Sequence, residues 1–119
     1  MKKTLVIGAT TKPDRYAYKA VKQLRAHGHE VIAFGLKEGK IDDISIETTW
    51  NPAWSVDTVT LYINPQRLEA YHDQIIALRP KRVLFNPGTE SPALEAELKK
   101  AGIPYEEACT LVLLSIGEY

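Results

Sequence analysis

Short apolar runs alternate along the chain with segments in which apolar residues recur every three or four positions. The apolar runs have the length and near-continuous hydrophobicity of buried strands, and they lie at residues 4–8, 30–34, 58–63 and 83–85. The periodic segments predict helices at residues 15–27, 66–78 and 91–102. A short last strand after Ile103 and a closing helix that begins at Thr110 complete the pattern.

Residues 36–57 interrupt this regular alternation. Gly39 and the two tryptophans, Trp50 and Trp54, fit neither a helical nor a strand period over this stretch. Residues 41–46 are compatible with one short extended piece. We interpret the whole segment as a loop-rich crossover.

Alternating helices and buried strands indicate an α/β fold in which helices cover both faces of a parallel sheet. We predict one doubly wound, Rossmann-like domain over residues 1–119, with about five strands. Right-handed crossovers place the carboxyl ends of the strands along one edge of the sheet. The segments 8–15, 34–37, 64–66 and 86–90 follow those ends, and we expect them to form one ligand cleft.

The turn after the first predicted strand has the composition of a phosphate site. It reads Gly8-Ala9-Thr10-Thr11-Lys12-Pro13-Asp14-Arg15 and leads into a helix, whose N-terminal N–H groups attract anions. It departs from the three-glycine dinucleotide fingerprint, because Thr10 and Pro13 stand at the second and third glycine positions. Lys12 and Arg15 add cationic side chains, so the turn predicts binding of a phosphorylated ligand.

The end of the second predicted strand narrows the kind of ligand. An NAD-binding domain usually places an acid there to hold the ribose hydroxyls, whereas this chain has Gly35-Leu36-Lys37. Lys37 and Lys40 instead favour a ribose that carries its own phosphate.

The composition restricts the partners. Fifteen basic and fifteen acidic residues give a net charge of zero, so no global field favours nucleic acid or an anionic membrane. No apolar run approaches the ~20 residues of a membrane span, and the one behind Lys2-Lys3 is too short for a signal peptide. The single cysteine forms no internal disulfide, and we predict a cytoplasmic protein whose partner is a small nucleotide ligand.

The residue types that commonly carry out catalysis form no recognisable motif in this sequence. His27 and His29 flank the turn after the first helix, at the sheet edge opposite the loops above, and His72 lies inside a later helix. No zinc-ligand spacing and no G-x-S-x-G elbow occurs. We interpret Cys109 as a small buried hydrophobe rather than a nucleophile, and we expect no catalytic residues and no metal.

The first turn and several later segments resemble the single-domain CoA-binding protein family. The matching positions are Gly8 to Arg15, Tyr18, Val21, Leu24, Gly28-His29, Val31-Ile32, Leu61 to Pro65, Asn86 to Glu90 and Cys109. That family is similar in fold to the CoA-binding domain of the succinyl-CoA synthetase α subunit, so the resemblance implies loops that bind the pyrophosphate and the pantetheine arm. Gly35-Leu36 replaces the Asn-Pro pair that the family commonly places near adenine, and Ala108 stands before the cysteine where the family often has arginine.

We therefore predict that the protein binds CoA or an acyl-CoA, without catalysis of its own. One alternative is a small NAD(P)- or nucleotide-dependent enzyme, in which Lys37 would read the 2′-phosphate of NADP. Another is a ligand-regulated assembly protein whose surface lies around Trp50 and Trp54, and a homodimer is compatible with such a domain. The predicted cofactor-binding residues are Gly8, Ala9, Thr10, Thr11, Lys12, Arg15, Phe34, Gly35, Lys37, Ile63, Asn64, Pro65, Asn86, Pro87, Gly88 and Thr89.

Overall fold

Seven strands form one sheet in the computed structural model, which describes all residues from Met1 to Tyr119. The strands are β1 Thr4–Ile7, β2 Val31–Phe34, β3 Lys40–Ile41, β4 Ile44–Glu47, β5 Thr58–Leu61, β6 Arg82–Phe85 and β7 Tyr105–Glu107. Their order across the sheet is β3-β4-β2-β1-β5-β6-β7, and every neighbouring pair is parallel except β3 with β4. The predicted α/β class with a mostly parallel sheet is confirmed.

The predicted number of about five strands was wrong. The two extra strands are a hairpin, Lys40–Ile41 and Ile44–Glu47, inside the segment that we interpreted as a loop-rich crossover. Its turn is made by two aspartates, of which Asp42 has the left-handed φ of 53° that Asp tolerates better than most residues. Arg25 on the first helix holds the turn through a 2.7 Å ion pair with Asp43. The pattern missed the hairpin because β3 has only two residues, too few to show a strand period.

Helices cover both faces of the sheet, as predicted. They are α1 Tyr16–Ala26, α2 Pro65–Leu68, α3 His72–Leu78, α4 Pro92–Ala101 and α5 Thr110–Ser115. A turn of 3-10 helix, Glu69–Tyr71, separates α2 from α3, so the helix predicted at residues 66–78 is segmented. No helix combines the length and the apolar character that crossing a membrane would take.

Each face of the sheet carries its own core. On one face, the strand residues pack with side chains from α2, α3 and α4, among them Leu68, Ile75 and Leu94. On the other face, Val21 and Leu24 of α1 pack with Leu114 of α5 against the sheet. Strands β1, β5 and β6 are buried almost throughout, which explains the nearly continuous apolar sequences of β1 and β6; in β5 the two threonines are buried as well.

The strand order reverses beside β1, and this reversal sets the position of the site. The chain passes from β1 to β2 on one side of the sheet and later returns to β5 on the other side of β1. The loops after β1 and β5 therefore separate and leave a crevice at their carboxyl ends. Gly8 allows the two ends to approach, because its φ is 98° and a Cβ there would lie 2.3 Å from the carbonyl oxygen of Tyr62.

The two tryptophans of the crossover belong to an aromatic cluster at the edge of the larger core. Trp50 and Trp54 contact each other at 5.2 Å between ring centroids, and both contact Phe34 edge to face. Trp50 also stacks on Tyr71 at 5.7 Å. Both tryptophans are half-buried and packed against the core, so their observed contacts are those of packing residues.

Candidate functional site

A cavity of about 700 Å³ opens at the carboxyl ends of β2, β1 and β5. It brings together eleven predicted residues, namely Gly8, Ala9, Thr10, Thr11, Lys12, Arg15, Phe34, Gly35, Lys37, Ile63 and Asn64. Its walls also contain residues that the sequence reasoning missed, namely Ile7, Tyr16, Ala17, Leu36, Thr48, Tyr62, Arg67 and Tyr71. The cavity lies where the strand order reverses, and its volume is in the ordinary range for small-molecule sites, about 300–1,000 Å³.

The other five predicted residues, Pro65, Asn86, Pro87, Gly88 and Thr89, do not line this cavity, and neither does Lys40. Pro65 occupies the first position of α2, where its fixed φ suits a helix start. The remaining four lie after β6, one strand further from β1 than the cavity wall at β5. Of the four segments that we expected in one cleft, 8–15, 34–37 and 64–66 contribute to the cavity, and 86–90 lies outside it.

Asn86 has a structural network of its own. Its amide nitrogen donates to Thr60 Oγ1 at 2.6 Å and to the Leu61 carbonyl at 2.9 Å, while its Oδ1 accepts from the Thr110 N–H at 2.8 Å. Thr60 and Thr110 are also hydrogen-bonded through their hydroxyls at 2.7 Å. These contacts use both amide protons of Asn86, which is buried, and they join β5, β6 and the start of α5.

The polar groups after Asn86 are also engaged within the protein. The Gly88 N–H donates to the Glu90 carboxylate at 3.0 Å, and the Thr89 hydroxyl donates to the Asn86 carbonyl at 2.7 Å. Glu90 therefore folds back over its own loop. A ligand would have to displace this carboxylate to reach the Gly88 amide.

In the turn after β1, the N–H groups of Gly8 and Ala9 are already hydrogen-bonded within the protein and are not free for a ligand. The N–H groups of Gly8 and Ala9 both donate to the Phe34 carbonyl, at 2.9 and 3.0 Å, and so join the turn to the end of β2. The N–H groups of Thr10 and Thr11 have no acceptor within the protein. Thr10 and Thr11 therefore supply the free N–H groups with which this loop lines the cavity.

Helix α1 begins at the cavity with its first turn uncapped. Its N-cap residue, Arg15, makes no side-chain capping bond, and no acidic residue lies in the first turn. The N–H groups of Tyr16 and Ala17 have no acceptor in the protein, and both residues line the cavity. An eleven-residue helix concentrates partial positive charge at such an end, so the first turn favours an anion.

Four cationic side chains line the cavity, from Lys12, Arg15, Lys37 and Arg67, and no aspartate or glutamate accompanies them. None of the four side chains forms an ion pair or a hydrogen bond within the protein. The chain as a whole is neutral, with fifteen basic and fifteen acidic residues. The positive potential is therefore local to this cavity, where it adds to that of the α1 terminus.

Arg67 is the cation that the sequence reasoning missed. It lies in the first turn after β5, where Asn64 caps α2 by accepting the Arg67 N–H at 2.9 Å. A signal was present, because Arg67 follows its strand at the helix start much as Arg15 follows β1. The Asn64-Pro65 pair is the more conspicuous sequence feature of that loop, and the basic residue stands two positions behind it.

The loop after β2 packs tightly on the turn after β1. A Cβ on Gly35 would lie 2.2 Å from the Ala9 carbonyl oxygen, and one on Gly39 would lie 2.4 Å from the Thr11 methyl group. The Gly35 N–H donates to the Glu47 carbonyl at 3.0 Å. The backbone contact explains glycine at position 35, and the loop that follows it carries Lys37 to the mouth of the cavity.

Tyr62 is the one lining side chain with a strongly shifted ionisation. Its hydroxyl is buried without a hydrogen-bond partner, and burial raises its pKa well above the usual range, despite the nearby Thr110 hydroxyl. Tyr62 therefore stays protonated at neutral pH and cannot act as a base. The cavity wall contains no histidine, cysteine, aspartate or glutamate that would serve as one.

The remaining reactive residues lie elsewhere. Cys109 is free and half-buried just before α5, and His72 bonds Glu97 at 3.0 Å between α3 and α4. His29 accepts the Lys2 N–H at 3.0 Å, on the side of the sheet where β1 begins. No group of three His, Cys, Asp or Glu residues is placed to hold a metal ion.

Comparison with solved structures relates this arrangement to known proteins. A crystal structure described as that of an uncharacterized protein is 49% identical, with a TM-score of 0.96, and the match covers 100% of this chain and 98% of that one. A Thermus thermophilus protein described as cell-free ID.343 is 25% identical with a TM-score of 0.83, covering 99% and 91% of the two chains. A conserved hypothetical protein from Pyrococcus furiosus, at 23% identity and a TM-score of 0.82 over 94% and 98%, shares the fold.

No curated protein matches this chain. A protein-family model does, and it covers residues 2–115, which is nearly the whole length. That family is described as the CoA binding domain, the same family type that the first turn resembles. The chain belongs to the CoA binding domain family.

Proposed function

We propose that the protein binds CoA or an acyl-CoA in the cavity at the ends of β2, β1 and β5, and that it does so without catalysis of its own. The observation that carries the proposal is the set of four unpaired cations in a cavity without a carboxylate. CoA brings about four negative charges at neutral pH, from its pyrophosphate and its 3′-phosphate. Charge-assisted bonds to phosphate are among the strongest that side chains make.

The pyrophosphate is assigned to the turn after β1. The free N–H groups of Thr10, Thr11, Tyr16 and Ala17 are the donors there, and the α1 terminus adds its dipole. Arg15 stands at the N-cap position with its guanidinium unpaired. Backbone amides and a fixed cation together make a site for two linked phosphates.

The 3′-phosphate of the ribose is assigned to Lys37. This residue follows β2, at the place where related nucleotide folds contact the ribose. The exposed Leu36 beside it supplies an apolar surface for adenine. Glu38, the acid in the loop after β2, does not line the cavity, so the wall has no carboxylate to bind the free ribose hydroxyls of NAD.

Binding without catalysis is supported by the chemistry of the wall. The lining side chains supply cations, hydroxyls, one amide and apolar groups, and no histidine, cysteine or carboxylate is among them. Burial raises the pKa of the Tyr62 hydroxyl. An NAD(P)-dependent enzyme that uses a histidine or a carboxylate for proton transfer would find neither in this wall.

The test is calorimetric titration of the purified, ligand-free protein with CoA, 3′-dephospho-CoA, NAD and NADP in parallel. We expect saturable CoA binding that weakens on removal of the 3′-phosphate, and weaker binding of NADP. The matched variants are Lys37→Gln, which should lose the difference between CoA and 3′-dephospho-CoA, and Lys100→Gln, which removes a charge from the exposed end of α4 and should lose nothing. Preference for NADP over CoA would contradict the proposal.

A further inference from the structure

Strand β7 forms an open edge of the sheet. It pairs with β6 alone, and all three of its residues are exposed. The Pro104 carbonyl accepts the Val83 N–H from β6, so the even-numbered residues of this segment bond inward. The N–H and C=O groups of Tyr105 and Glu107 therefore point outward, where the sheet has no further strand to pair with them.

The carboxyl end of this edge is acidic. Glu106 and Glu107 are exposed on β7, and burial, together with the nearby carboxylates of Glu107 and Glu90, raises the pKa of Glu95 on α4. The Oε2 atom of Glu95 is buried and has no hydrogen-bond partner. No cation of the chain forms an ion pair with any of these four carboxylates.

The amino end of the same edge is basic. Lys99 and Lys100 lie in the last turn of α4, and Lys81 directly precedes β6. Arg79 belongs to this end as well, since its guanidinium donates to the Ala101 carbonyl at 3.3 Å. All four cations are exposed, and none of them forms an ion pair. The edge made by β7 and α4 thus carries opposite, unpaired charges at its two ends.

We infer that β7 and α4 form the interface of a homodimer in which the two sheets join edge to edge. A two-fold axis across β7 pairs the two strands antiparallel, and it brings the acidic end of each copy onto the basic end of the other. A second copy of this chain therefore fits the edge both in charge and in strand geometry. A parallel arrangement would place like charges together, which opposes association.

The charges also select the position of the axis along β7. An axis through Glu106 would bring the two Glu106 side chains face to face, and like charges opposite one another destabilise a strand pair. An axis through Tyr105 instead pairs its outward N–H and C=O groups with those of the other copy. The Tyr105 ring, which is 36% exposed beside Phe85, then packs against its counterpart.

This edge is separate from the ligand cavity, because no residue of β7 or α4 lines it. The inference is therefore independent of the proposed function. Binding of CoA and formation of the dimer can each fail without the other.

The oligomeric state of the full chain is the test. Sedimentation equilibrium over an about hundred-fold range of protein concentration should show the mass rising from that of one chain towards that of two. Exchange of the Tyr105 amide hydrogen should slow at the high concentration, because that amide is hydrogen-bonded only in the dimer.

Two charge-reversed variants test the antiparallel arrangement. Lys99→Glu with Lys100→Glu, and Glu106→Lys with Glu107→Lys, each place like charges across the axis. Each double variant alone should therefore dimerise at least about ten-fold more weakly than the unaltered protein. An equimolar mixture of the two restores opposite charges at both ends of the interface, and it should dimerise as readily as the unaltered protein.

The matched control is Lys19→Glu with Lys40→Glu. It makes the same change in net charge as the lysine double variant, on exposed residues of α1 and β3 that lie away from this edge, and it should dimerise normally. A mass of one chain at every concentration overturns the inference. So does a dimer that both reversed variants form as readily as the unaltered protein, or a mixture that stays as weak as its components. Circular dichroism of each variant verifies that the fold is intact.

Discussion

Replacing Asn86 by alanine should destabilise the protein strongly and leave ligand binding nearly unchanged. The substitution removes three buried hydrogen bonds, at 2.6, 2.9 and 2.8 Å, which join β5, β6 and the start of α5. Each such bond contributes about 1 kcal/mol net, so the free energy of unfolding should fall by about 3 kcal/mol. The buried Thr110 N–H and Leu61 carbonyl left without a partner make this a lower bound.

A loss of this size is easily measured. It is a large fraction of the ~5–15 kcal/mol that stabilises an ordinary domain, and it corresponds to a decrease in Tm of about 10 °C or more. Urea unfolding followed by the fluorescence of Trp50 and Trp54 gives the free energy directly, since both rings pack against the core. CoA titration is done on the folded variant well below its urea transition.

The matched control is Asn51→Ala. Asn51 is exposed, and its side chain makes one hydrogen bond, from the Ala53 N–H at 2.9 Å. Its loss should cost less than about 1 kcal/mol. If Asn86→Ala were no less stable than Asn51→Ala, or if it lost CoA binding while keeping its stability, the structural reading of Asn86 would be refuted.

Three further predictions concern the site and the opposite end of the sheet. Arg15→Gln should weaken CoA by about ten- to a hundred-fold with unchanged urea unfolding, because it loses a charge-assisted phosphate contact; equal affinity in titration would remove Arg15 from the site. Gly8→Ala should lower the free energy of unfolding by about 3 kcal/mol, since the new Cβ meets the Tyr62 carbonyl at 2.3 Å and φ is 98°; an unchanged urea midpoint would show that the strand ends relax freely. Burial, followed by the positive N-terminus, lowers the pKa of His29 below 6.5, so its stabilising contribution is complete above that pH and is lost as the pH falls through the lowered native value. The decrease in stability between pH 7.5 and pH 5 should be smaller in His29→Gln, measured by urea unfolding, and an identical decrease would exclude His29 as its source.

The elements that the sequence pattern predicted correctly are determined by local sequence. Residues 8–15 were predicted as the end of a strand, a turn and the start of a helix. The signals for such a unit, namely the hydrophobic period, a glycine and a helix-start residue, each involve only a few neighbouring positions. The alternation of strands and helices likewise determined the α/β class and the edge on which the loops lie. These features need no knowledge of which strand pairs with which.

The features that the sequence did not reveal depend on contacts between distant segments. The β3–β4 hairpin is held by the parallel pairing of β4 with β2 and by Arg25 on α1, neither of which leaves a period in residues 36–57. The family pattern around Asn86 predicted a ligand loop, but the Thr60 and Thr110 partners that occupy its side chain lie 26 and 24 residues away.

The sequence by itself determined the chemistry available to this protein: a glycine turn with two threonines and two cations at a helix start, in a chain of zero net charge. Only the tertiary structure decided which N–H groups stay free and which cations line the cavity. It used the Gly8 and Ala9 amides to join β1 to β2, left those of Thr10 and Thr11 free, and added Arg67 from across the sheet. The physical reason is that hydrogen-bond partners and charge neighbours are set by strand order, which depends on non-local pairing and cannot be read from local sequence patterns.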